Sequence, residues 1–321
     1  MALPDPTFSF SIPSLYDGVR LECRLYHPSR QQDLKSTREN KGTIIAHPYA
    51  PLGGCFDDPT VSAAGNELLQ AGWVVGTFNL RGAGKSGGRT SWTGKPELAD
   101  YVSFYGFMMH YLHQLEANGP SKLPDECHDG GHETEDGPRP KLLLSGYSYG
   151  SMLTSYLPSP ETILDIFTSF RDIQWVQEII LTAAQLYKLW IRDPYKSPPV
   201  RPVVHPSVSY LLISPILPPV TFFTAITLFA PHRTLDVVIQ GKHIKSSKPA
   251  ENLVNHKSLA IYGDDDVFTS VKKLRKWCAE LTGEPHSQFQ RREVNGAGHF
   301  WLDEDAILQL RSLIREWIST I

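Results

Sequence analysis

Apolar and polar residues alternate over positions 8–12 and again over 19–26, on either side of Asp17-Gly18. A period of two with a turn dipeptide between predicts an antiparallel hairpin with one buried face. After a polar stretch, 31–41, the pattern changes: Thr43-Ile44-Ile45-Ala46 and Trp73-Val74-Val75-Gly76-Thr77-Phe78 are short continuous apolar runs, separated by a helical stretch over 62–70. Such runs belong to strands covered on both faces. From there helix 96–116, strand 141–144, helix 148–157, strand 208–213, strand 259–262, helix 270–281, strand 289–294 and helix 303–319 follow one another. The order predicts an α/β fold, a mostly parallel twisted sheet behind an antiparallel N-terminal hairpin with helices on both faces.

Two segments interrupt the alternation. Residues 119–140 are rich in Gly, Pro, Asp, Glu and His and predict an exposed polar loop. That loop holds Cys127, His128 and His132, fewer than the four convergent ligands of a structural zinc site, so no metal is expected there. Residues 158–206 begin with helical periodicity over 161–191 and end in Pro194, Pro198, Pro199, Pro202 and Pro206. This predicts a helical cap or lid-like insertion, and residues 1–321 as a whole read as a single domain.

With 321 residues, 41% of them apolar, the chain can bury a large core. The balance of 31 basic and 34 acidic residues leaves a net charge of −3, which supplies no field for holding nucleic acid. The longest nearly apolar stretch, 216–230, is shorter than the roughly 18 residues of a membrane span and contains Pro218 and Pro219. Cys23, Cys55, Cys127 and Cys278 are scattered without a CxxC pair, and the N-terminus lacks a signal-peptide pattern. A cytoplasmic protein with a small-molecule substrate is therefore expected.

The strongest chemical signal is Gly146-Tyr147-Ser148-Tyr149-Gly150, between a buried strand and a helix. On such a turn the serine hydroxyl stands exposed beside backbone N–H groups. A serine is a weak nucleophile until a base takes its proton, and the base needs an acid to orient it. Downstream, the strand 259–262 runs into Gly263-Asp264-Asp265-Asp266, and the last strand is followed by Gly296-Ala297-Gly298-His299-Phe300. Of the histidines, which include His47, His110, His113 and His205, only His299 occupies a glycine-flanked loop after the last strand. From the residues alone, all three aspartates remain candidates for the acid.

These motifs, with His47-Pro48-Tyr49-Ala50-Pro51-Leu52-Gly53-Gly54 and Phe78-Asn79-Leu80-Arg81-Gly82-Ala83-Gly84-Lys85-Ser86-Gly87-Gly88, give the chain a resemblance to the α/β-hydrolase superfamily over almost its whole length. It is similar to a group of small, little-characterised serine hydrolases with an HP loop, an FNxRGxGxS turn and a GxSxG elbow. The resemblance implies a triad of Ser148, Asp266 and His299, with Asp266 selected as the third residue after the glycine. It also implies an oxyanion hole from the backbone N–H groups of Tyr49 and Tyr149, and no cofactor.

Gly84-Lys85-Ser86 superficially matches the end of a phosphate-binding loop, but the first glycine of that motif falls on Asn79, so the match fails. Tyr147, Phe300 and Trp301 flank the motifs and are expected at an apolar substrate pocket. The expected function is hydrolysis of a carboxylic ester or thioester of a small, moderately apolar substrate through an acyl-enzyme on Ser148. The same three residues could also serve C–C bond hydrolysis, acyl transfer or cyclisation. A non-catalytic ligand-binding protein on the same scaffold is a third reading, disfavoured by the intact triad.

Overall fold

A computed structural model describes residues 2–29, 40–116, 139–193, 202–217, 221–222, 226–227, 235–239, 241–244 and 248–321. Most of the polar stretch 31–41, the loop 119–140 up to residue 138 with Cys127, His128 and His132, and Pro194, Pro198 and Pro199 lie outside the described residues.

The hairpin forms as its period-two pattern requires: β1 (Phe8–Pro13) and β2 (Arg20–Tyr26) pair with Phe8 opposite Leu25 and Pro13 opposite Arg20. β3 (Lys41–Ala46), β4 (Val74–Phe78), β5 (Lys141–Tyr147) and β6 (Ser207–Ile213) come next along the chain. Two short pairs follow, β7 (Thr221–Phe222) with β8 (Ile226–Thr227) and β9 (Val237–Ile239) with β10 (Lys242–Ile244). β11 (Ser258–Asp265) and β12 (Phe289–Gly298) complete an eight-stranded sheet in the order β1-β2-β4-β3-β5-β6-β11-β12. β2 runs antiparallel to β4, and every later neighbour is parallel. Both faces are covered, which explains the unbroken apolar runs. Ile44, Leu142 and Leu144 point to one core, while Ile45 and Leu143 point to the other.

One face carries α1 (Pro59–Gln70), whose Val61, Ala64 and Leu68 share a core with residues of the last helix. The other face carries α2 (Lys95–Glu116), α3 (Tyr149–Ser155), α4 (Pro160–Ser169), α5 (Gln174–Ile191), α6 (Pro249–Asn255) and α7 (Val271–Gly283). The last helix, α8 (Glu304–Ile318), packs beside α1 through Leu310 and Ile314. α1 starts at Pro59 rather than at Ser62 because Asp58 caps it: Asp58 Oδ1 accepts from the N–H groups of Thr60 at 2.8 Å and Val61 at 3.3 Å. The cap and the proline at the first position pre-organise the first turn.

The helical insertion after the elbow is two helices rather than one run, broken between Ser169 and Gln174. They are seated on α2 and the N-terminal hairpin. The Phe167 ring lies 5.4 Å from that of His110, and Trp190 stacks on His27 at 3.8 Å. The turn after β4 is held from inside: Arg81 donates to Asp100 at 2.7 and 2.9 Å, to Asp17 at 3.0 Å and to Ser14 at 3.1 Å. No described helix is long and apolar enough to cross a membrane.

Burial keeps three imidazoles neutral, pushing His27 down to about 3 and His47 and His110 down to about 4. In the unfolded chain histidine titrates near 6.5, so below that pH the unfolded state takes up protons that the folded state refuses. Each histidine then removes up to ~1.4 kcal/mol of stability per pH unit as the pH falls from 6.5 towards 4. The buried Glu97 and Asp100, raised by desolvation, act in the opposite sense at acid pH. Urea melts from pH 7 to pH 4.5 are therefore expected to show falling stability, with a shallower fall in a His110→Leu variant. Identical slopes in the two proteins would remove His110 from the account.

Candidate active site

Ser148 sits between the end of β5 and the start of α3 with φ 56° and ψ −117°, a left-handed backbone conformation rare for a residue with a Cβ. The glycines beside it are required by close approach. A Cβ on Gly146 would lie 2.3 Å from the carbonyl of Gly150, and one on Gly150 would lie 2.3 Å from the carbonyl oxygen of Ala46. Backbone atoms cannot move aside as a side chain can. A Gly150→Ala variant is accordingly expected to lose at least about 3 kcal/mol, roughly 6–12 °C in Tm for a chain of this size. A Tm close to that of the parent would show that the elbow relaxes freely.

The turn aims the Ser148 hydroxyl at His299. Ser148 Oγ lies 2.8 Å from His299 Nε2, and His299 Nδ1 lies 2.7 Å from Asp266 Oδ2. All three residues are buried. Asp266 Oδ1 accepts from the N–H groups of Phe268 at 2.8 Å and Thr269 at 2.9 Å, which locks the carboxylate with its second oxygen towards the imidazole. With Asp266 accepting at Nδ1, the neutral ring carries its proton there and leaves Nε2 to accept from the serine.

The other two aspartates of the acid loop are placed differently. Asp264 Oδ1 accepts from the Gly296 N–H at 2.7 Å and so ties the acid loop to the histidine loop, while Asp265 is exposed at the strand end. The pairing of β11 with β12 shifts register between Gly263 and Asp265, at the point where the two loops diverge from the sheet.

Tyr49 and Tyr149 are neighbours, with ring centroids 5.2 Å apart. Tyr149 is the first residue of α3, and an N–H at that position has no acceptor within the helix. The carbonyl of Tyr49 is engaged by the N–H groups of Leu52 at 3.1 Å and Gly54 at 3.2 Å. The HP loop is anchored by His47, whose Nε2 accepts from the Leu80 N–H at 2.9 Å while Nδ1 donates to the Pro48 carbonyl at 2.6 Å. Its lowered pKa, caused by burial, keeps the ring in this neutral bridging form.

Of the three aromatic residues expected at the substrate, Phe300 stands at the surface, its ring edge-on to His299 at 5.3 Å. Tyr147 and Trp301 are buried, and their polar atoms are used internally. The Tyr147 hydroxyl donates to the His299 carbonyl at 2.9 Å, and Trp301 Nε1 donates to Ser214 Oγ at 2.9 Å. Both brace the histidine loop. Phe268, which the motif reading did not single out, covers the imidazole at 4.4 Å. Asp58 was also missed: its carboxyl is raised by burial and drawn back down chiefly by its helix-cap hydrogen bonds to Thr60 and Val61, and it lies near enough to His299 to interact with it electrostatically. The Asp-Pro-Thr cap sequence was the available signal, although it marks a helix start rather than a site. Among the described residues no group of three His, Cys, Asp or Glu side chains is placed to hold a metal ion.

No protein-family model and no curated protein matches the chain. Solved structures do. An alpha-beta serine hydrolase homologue from Coxiella burnetii is 16% identical with a TM-score of 0.52, over 98% of this chain and 99% of that one. An α/β serine hydrolase from Xanthomonas campestris, described as having no lid, is 15% identical with a TM-score of 0.53, over 100% and 97%. The esterase Pf2001 from Pyrococcus furiosus is 13% identical with a TM-score of 0.52, over 98% and 91%. With strand order, parallel pairing and these neighbours in agreement, the chain adopts the α/β-hydrolase fold.

Proposed function

We propose that this chain is a serine hydrolase that cleaves a carboxylic ester or thioester of a small, moderately apolar substrate through an acyl-enzyme on Ser148. The observation that carries the reading is the continuous chain from Ser148 Oγ through His299 to Asp266, at 2.8 and 2.7 Å. Serine hydrolases and an esterase among the structural neighbours agree with it. Ser148 Oγ attacks the acyl carbon while His299 Nε2 takes its proton. The carbonyl oxygen becomes negative and is met by the backbone N–H groups of Tyr49 and Tyr149. His299 then gives the proton to the leaving alcohol or thiol. Water enters, His299 activates it, and the acid is released with Ser148 restored. Asp266 holds the imidazole in its tautomer and stabilises its cationic form. Tyr147 and Asp264 position the loop on which the imidazole rides.

The test is a fluorophosphonate probe, with the modified residue located by mass spectrometry, beside turnover of p-nitrophenyl acetate and butyrate. Modification of Ser148 with measurable hydrolysis is the expected result. A folded protein that takes no label and turns over neither ester would end the reading.

A further inference from the structure

The two loops that carry the proposed acid and base also carry strongly exposed apolar side chains. Val267, next to Asp266, is 77% exposed; Phe300 and Leu302, just beyond His299, are 51% and 90% exposed. Phe268 joins the two loops, with its ring 4.4 Å from the His299 imidazole and 5.6 Å from the Phe300 ring, and Val267 and Leu302 flank this aromatic pair along the chain. Trp301 is turned inward between Phe300 and Leu302, which leaves its two neighbours to the surface. Single exposed apolar residues are ordinary, but a contiguous group at the mouth of a site marks a binding surface. The chain around it is rich in carboxylates: Asp265, Asp303, Glu304 and Asp305 are exposed and Asp264 is half-buried, while the nearest bases along the chain are Lys272 and Lys273 at the start of α7 and Arg311, which is paired with Glu67. An anionic ligand would meet like charge on this side.

The chemistry says which part of a substrate lies here. The leaving group must sit over His299 Nε2 to receive the proton, whereas the carbonyl oxygen is held across the site near Tyr49 and Tyr149. Phe268 and Phe300, which join the two loops, lie against that imidazole, 4.4 and 5.3 Å from it. We propose that Val267, Phe268, Phe300 and Leu302 receive the alcohol or thiol half of the substrate and select an extended apolar group that carries no negative charge. This rests on the serine-hydrolase reading above and adds to it which half of the ester is recognised.

The test compares kcat/KM for four esters below their solubility limits: ethyl acetate, octyl acetate, 8-acetoxyoctanoate and methyl octanoate. The first three release alcohols of similar leaving ability and differ in what extends over the patch. Octyl acetate is expected to exceed ethyl acetate by about tenfold or more, and 8-acetoxyoctanoate, with its terminal carboxylate, to fall about tenfold below octyl acetate. Leu302→Ser and Val267→Ser are each expected to lower the octyl-to-ethyl ratio about fivefold. Both side chains are exposed, so folding of at least one variant is expected, and thermal melts check it. Equal ratios in parent and variants, equal turnover of octyl acetate and 8-acetoxyoctanoate, or an effect of the substitutions confined to methyl octanoate would each overturn the inference. Fluorophosphonate labelling of the parent separates the two levels. A labelled enzyme indifferent to the alcohol chain sinks this inference alone, and an unlabelled one sinks the hydrolase reading with it.

Discussion

Ser148→Ala is expected to lower ester turnover by at least about a thousandfold and to abolish fluorophosphonate labelling. On the proposed mechanism alanine removes the atom that forms the acyl-enzyme, while the backbone N–H groups proposed as the oxyanion hole, at Tyr49 and Tyr149, remain to polarise a carbonyl for attack by water. That residual assistance is why activity is expected to fall steeply rather than to the uncatalysed rate. The fold should survive. The positive φ at position 148 strains any residue with a Cβ, serine and alanine alike, so the substitution neither adds nor relieves that strain. Turnover in Ser148→Ala close to that of the parent would place the chemistry elsewhere.

Asp266→Asn is expected to cost about 10⁴-fold in kcat, with Asp264→Asn and Asp265→Asn within about threefold of the parent. The reason is local. Two backbone donors, Phe268 N–H and Thr269 N–H, already claim the Asp266 Oδ1 position, so an asparagine must keep its oxygen there and turn its NH2 towards His299 Nδ1. An NH2 donor at Nδ1 forces that nitrogen to accept and moves the ring proton to Nε2. The imidazole then points a proton at Ser148 instead of a lone pair. At position 264 an asparagine retains the oxygen that accepts from Gly296 N–H, and position 265 is exposed. Kinetics of the three variants measured side by side decide the assignment, and near-parental activity in Asp266→Asn would refute it.

Much of the architecture was legible because its causes are local. The hairpin shows as period two around Asp17-Gly18, the central strands show as apolar runs because both sheet faces are covered, and the elbow shows because its glycines answer a backbone approach of 2.3 Å. Boundaries were less legible. The start of α1 moved to Pro59 through a cap whose role depends on hydrogen bonds to Thr60 and Val61, and the insertion split into two helices around residues 170–173.

The candidate site divides along the same line. Gly146-Tyr147-Ser148-Tyr149-Gly150, three adjacent aspartates and His299 in a glycine-flanked loop are readable as residue types in an order, since strand ends and turn chemistry write themselves into neighbouring positions. Which aspartate faces the imidazole, and which tyrosine and tryptophan face inward, is not written there. Ser148 and His299 are 151 residues apart, and Asp266 and His299 are 33 apart. Their approach depends on the parallel order of β5, β6, β11 and β12 and on the register shift after Gly263. Local pattern specifies which elements exist and what chemistry they carry. The packed sheet decides which atoms meet, because a hydrogen bond formed or missed turns on displacements of an ångström, and only the sum of long-range contacts holds positions that closely.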